Sequence, residues 1–109
     1  MTWQRVVLEL LDGIEDPEER IDMMSTIAYI MHLLEEGEIA EEQAAEDIAD
    51  VVADALRIKN PLASGEELRE EARRLAEAII RAWRASKRRV EKSERYGLLG
   101  RKRRRGVEI

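Results

Sequence analysis

The sequence predicts an all-α protein: a small four-helix, mainly antiparallel bundle with a long overhanging C-terminal helix and a disordered basic tail. Three observations carry this. Apolar residues recur at spacings of three and four in successive segments, the mark of a helix with one buried face. Helix-start signals precede three of those segments, at Thr2, Asp16 and Ser64. Strand-like alternation never persists beyond a few residues, and no internal repeat is present. At 109 residues the chain has room for one domain with a core that needs no covalent staple.

Helix one is expected over about residues 2–12. Thr2 caps it, Gly13 ends it, and Trp3, Val6, Val7, Leu10 and Leu11 form its apolar stripe. Helix two, about 17–36, opens on Asp16-Pro17-Glu18-Glu19, with a cap, a proline at the first helical position and an acid at the capping-box position. Ile21, Met24, Ile27, Met31 and Leu34 form its stripe, widened by Met23, Ile30 and Leu33, so it reads as the most buried helix. Gly37 stops it. The next helix, about 41–58, follows after a turn short enough for a helical hairpin or a helix-turn-helix corner. Its core face reads as Ala45, Ile48, Val52, Ala55 and Leu56, and Asn60-Pro61 ends it.

Helix four, about 65–95, starts at the capping box Ser64-Gly65-Glu66-Glu67. Leu68, Ala72, Leu75, Ile79, Ala82, Ser86 and Val90 recur with nearly coiled-coil spacing. Glu70–Arg74, Glu77–Arg81 and Glu91–Arg95 stand as i,i+4 pairs in the favourable order. At about 1.5 Å rise per residue this helix outruns the other three, so its second half projects or packs on another molecule. Residues 1–96 therefore read as one helical domain and 97–109 as a flexible basic tail.

Charge is divided along the chain. Residues 1–80 hold 21 acids and 7 bases, a net −14; residues 81–109 hold 12 bases and 3 acids, a net +9. Such asymmetry implies a partner for one end. On helix four Arg81, Arg84, Arg88, Lys92 and Arg95 fall on one continuous face, flanked by Lys87 and Arg89. Arg101, Lys102, Arg103, Arg104 and Arg105 add a basic arm. A stripe and arm of this kind can track a phosphate backbone, and the planar guanidinium fork suits phosphate oxygens. The expected partner is nucleic acid, bound without catalysis, with Trp83 and Tyr96 available to stack on unpaired bases; beside Ala82, Trp83 also reads as core. The alternative is an assembly module: a homodimer through helix four, with the arm on an acidic protein partner.

The acidic segment Leu33–Leu56 contains Glu35-Glu36-Gly37-Glu38 and Asp47-Ile48-Ala49-Asp50. Parts of it resemble the all-α nucleotide pyrophosphohydrolases of the MazG type, which pair an EExxE helix with an ExxD helix. The resemblance covers about a fifth of the chain and implies a magnesium site that includes Asp47 and Asp50. The first motif is one residue short and broken by Gly37, and the two motifs stand close together. The corner at Gly37–Ala44 and the tail from Arg101 also resemble the small helix-turn-helix accessory subunit of crenarchaeal RNA polymerase, which has no counterpart of helix four.

The remaining features exclude more than they assign. There is no cysteine, hence no disulfide, thiolate metal site or thiol nucleophile. His32 is the only histidine and reads as a half-buried structural residue. No phosphate-binding glycine loop or serine nucleophile elbow is present. No catalytic residue, metal ligand or cofactor is expected. Neither a signal peptide nor a membrane-spanning run is visible, so a cytoplasmic location is expected. Arginine outnumbers lysine 15 to 4 and amides are scarce, a composition that suggests a thermophilic source; an archaeal one is what the polymerase-subunit resemblance implies.

Overall fold

In the computed structural model the backbone is described from Thr2 to Glu108 and the side chains from Thr2 to Lys87. Four helices are present, α1 (Trp3–Leu11), α2 (Pro17–Glu35), α3 (Glu41–Lys59) and α4 (Gly65–Glu108), with no strand among the described residues. Each helix packs on the next, and α1 closes the ring on α4, with the α3–α4 contact the most extensive. This is the expected four-helix bundle.

The helix starts follow local chemistry. The Thr2 hydroxyl accepts from the Arg5 N–H at 3.3 Å, and the Asp16 carboxylate accepts from the Glu18 N–H at 3.0 Å. The Ser64 hydroxyl accepts from the Glu67 N–H at 3.1 Å. Each satisfies one of the amide donors that a helix N-terminus leaves unpaired. The α2–α3 corner is closed by a Schellman motif. Gly37 takes φ +75°, its N–H donates to the Leu34 carbonyl at 3.1 Å, and the Glu38 N–H donates to that of Leu33 at 2.9 Å. A side chain at Gly37 would meet nothing within 4 Å, so glycine is required there by the left-handed backbone rather than by space.

The core is one cluster. It contains Val7, Leu10 and Leu11 of α1, Ile27, Ile30, Met31 and Leu34 of α2, Ala44, Ile48, Val52, Ala55 and Leu56 of α3, and Leu68, Ala72, Ala76, Ile79, Ile80 and Trp83 of α4. Ile14, from the α1–α2 connection, is fully buried with them. Several expected faces turn out rotated. Ile21 is 62% exposed, so the α2 stripe is shorter than the periodicity implied, α2 is not the most buried helix, and Ile14 supplies the apolar contact at that end. On α3 the fully buried alanine is Ala44, with Ala45 only half-buried. On α4 Ala76, Ile80 and Trp83 are buried, while Leu75, Ala82 and Ser86 are half-buried. His32 is exposed rather than half-buried.

At 44 residues and about 1.5 Å per residue, α4 is about 66 Å long. The two 19-residue helices α2 and α3 reach only about 28 Å by the same measure. The molecule accordingly measures 64 × 27 × 22 Å, its long axis set by the overhang of α4. The boundary expected at Gly97 lies inside the bounds of α4, and the tail from 97 to 109 lies outside the described side chains.

Candidate nucleic-acid interface

The basic face begins where α4 makes its last described contacts with the body. Trp83 is 8% exposed, and its indole Nε1 donates to Glu35 Oε2 at 2.5 Å. Arg84, next in sequence, is hydrogen-bonded and ion-paired to Glu41. Glu35 ends α2 and Glu41 begins α3, so the two acids flank the Gly37 corner. That corner grips α4 through one aromatic and one cationic side chain.

Three of the expected interface residues have described side chains, and they stand in three different situations. Arg81 is exposed and makes no ion pair among the described residues, including with Glu77. Arg84 is occupied by Glu41, whose hydrogen bond and charge raise the guanidinium further above its ordinary range. Lys87 places its ammonium 5.1 Å from the centroid of the Trp83 ring, within reach of a cation–π attraction. Arg88, Arg89, Lys92, Arg95 and the arm Arg101, Lys102, Arg103, Arg104 and Arg105 lie outside the described side chains, as does the Glu91–Arg95 pair. Arg74 bonds Glu71 at 2.8 Å instead of the expected Glu70, because the i,i+3 partner also lies on its face.

Trp83 therefore serves the core, and stacking on a base would require it to leave Glu35. Trp83→Phe is expected to lower stability by about 1–3 kcal/mol, the loss of a hydrogen bond to a charged group. Single-strand binding should not change, and denaturant unfolding alongside a binding titration checks both. Glu35 and Glu41 were not legible as partners of α4. They stand 48 and 43 residues from Trp83 and Arg84, and no local pattern announces such pairs.

The acidic residues behind the pyrophosphohydrolase resemblance are not brought together. Glu35 is engaged by Trp83, Asp47 accepts from the Gln43 amide at 2.9 Å, and Asp50 is exposed. No group of three or more histidine or carboxylate side chains able to hold a metal occurs among the described residues. No helix among them is long and apolar enough to cross a membrane. Comparison with known proteins finds no match to this chain among protein-family models, curated proteins or solved structures.

Proposed function

We propose that this protein binds nucleic acid without catalysis, through the C-terminal third of the chain and largely independently of base sequence. The observation that carries this reading is the coincidence of charge and shape. The segment with net charge +9 begins at Arg81, just before α4 makes its last described contacts, at Trp83 and Arg84, with a body of net charge −14. A basic helix held clear of an acidic domain neutralises phosphates with its own face while the body repels the rest of the polyanion. Arg81, Arg88, Lys92, Arg95 and the five bases of the arm carry the contacts. Arg84 contributes only after it releases Glu41. The arginine-rich, amide-poor composition supports a thermophilic setting.

The test is a chain lacking Arg101–Ile109. Its thermal unfolding should match that of the full chain, because an arm rich in Gly and Arg adds no core. Its affinity for oligonucleotides should fall, and log affinity should depend less steeply on log salt, by about 0.9 for each duplex-DNA phosphate that the arm had neutralised. Unchanged affinity and slope would remove the arm from the interface.

A further inference from the structure

Between α3 and α4 lies an open groove of about 920 Å³. Its floor is the half-buried stripe Ala45, Ala49 and Ala53, which offers apolar surface and no bulk. One wall is a ladder of acids on α3 at every fourth position: Glu42, Glu46, Asp50 and Asp54. Asp54 is paired with Arg57 at 3.0 Å, while Glu42, Glu46 and Asp50 make no ion pair among the described residues. With the opposite wall included, the charged lining is five acids to three bases. The groove is thus narrow-floored, acidic and as long as a helix of four turns.

We propose that this groove receives the basic C-terminal segment, residues 88–108, of a second copy of the chain. The chain's own segment leads away from it, because α4 passes Glu41 at Arg84 and continues beyond that end of the groove. A second copy related by a twofold axis near Ser86 brings its own α4 back antiparallel along the same path. Residues 88–108 carry nine bases and three acids, opposite in sign to the groove that would receive them. Lengths agree as well: Glu42 to Arg57 spans about 22 Å of helix, and residues 88–108 supply about 30 Å. Both copies donate a segment and receive one, so the contact closes as a dimer, with about 20–30 residues a side, the size of a standard interface.

The sign of the salt effect separates this arrangement from two basic stripes laid side by side. Like stripes repel and associate better in salt. Complementary segment and groove attract, and salt weakens them. The same docking occupies bases that a phosphate backbone would need, so self-association and polyanion binding compete; this last consequence rests on the nucleic-acid reading, while the dimer itself does not.

The experiment uses the full chain and two charge-reversed variants, Glu46→Arg/Asp50→Arg in the groove and Lys92→Glu/Arg95→Glu in the segment. Sedimentation equilibrium should show wild type as a dimer at low salt that dissociates toward about 1 M salt, where the Debye length is about 3 Å. Each variant alone should dissociate at least tenfold more readily. Mixed one to one they should re-form a dimer, since the mixed pair has a matched groove and segment on both sides. Isosteric Glu46→Gln/Asp50→Asn should weaken the wild-type dimer in the same direction, which guards against a folding defect in the reversed chains. A wild type that stays monomeric at low salt, a dimer indifferent to Glu46→Arg/Asp50→Arg, or a mixture that remains monomeric would each overturn the proposal. An oligonucleotide titration of the groove variant keeps the two readings apart: it should bind at least as tightly as wild type. Absence of oligonucleotide binding by either chain would defeat the nucleic-acid reading and leave the mass data standing.

Discussion

Ile27→Ala is expected to cost about 2–5 kcal/mol of folding stability. Ile27 has no solvent exposure and sits one turn before Met31 on the face that α2 turns to the core. Removing its outer carbons deletes apolar area and leaves a void that fixed helices on several sides refill only in part. A domain of this size has about 5–15 kcal/mol in total, so the change removes a large fraction of it and lowers the melting temperature by roughly 10 °C or more. Met31→Ala belongs to the same range, because Met31 is 3% exposed. Urea unfolding with an unchanged m-value checks the result; a midpoint equal to that of wild type would show that α2 does not hold the centre of the core.

The second large effect is on binding. Replacing Arg81, Arg88, Lys92 and Arg95 together by glutamate removes four cations from one face of α4 and puts four anions in their place. The affinity for a duplex oligonucleotide at low salt should fall by at least about a thousandfold, the scale on which multiple phosphate contacts respond to screening. The slope of log affinity against log salt should become shallower by about 3–4, near 0.9 for each cation removed. Arg84 and Lys87 are left in place because Glu41 and the Trp83 ring already engage them. The body should remain folded, since Arg81 is exposed and unpaired charged side chains do not build a core. Fluorescence anisotropy over a salt series reads affinity and slope together, and a variant that binds like wild type would mean that this face makes no phosphate contacts.

Much of the architecture was legible because its determinants are local. A cap at Thr2, Asp16 or Ser64 acts on an amide two or three residues away, and the Gly37 corner is specified by one backbone conformation. The phase of each buried face was less legible. At 3.6 residues per turn, neighbouring positions differ by about 100°, so Ala44 and Ala45, or Leu75 and Ala76, compete closely for the same face. The contacts across the bundle decide which one wins. Ile14 was missed for a related reason, as a lone apolar residue between helices carries no period. The root of the basic segment could not be read from spacing. The Trp83–Glu35 and Arg84–Glu41 contacts join residues more than forty positions apart, and they turn two expected interface residues into fastenings of the overhang.

The central claim is that the basic overhang of α4 binds polyanions through their phosphates. The most direct measurement is a salt titration of the full chain against single- and double-stranded DNA and RNA of unrelated sequence. The account predicts a straight, steeply negative line of log affinity against log salt, nearly the same for different sequences of one nucleic-acid type. No binding to any of the four at low salt, or an affinity indifferent to salt, would contradict it.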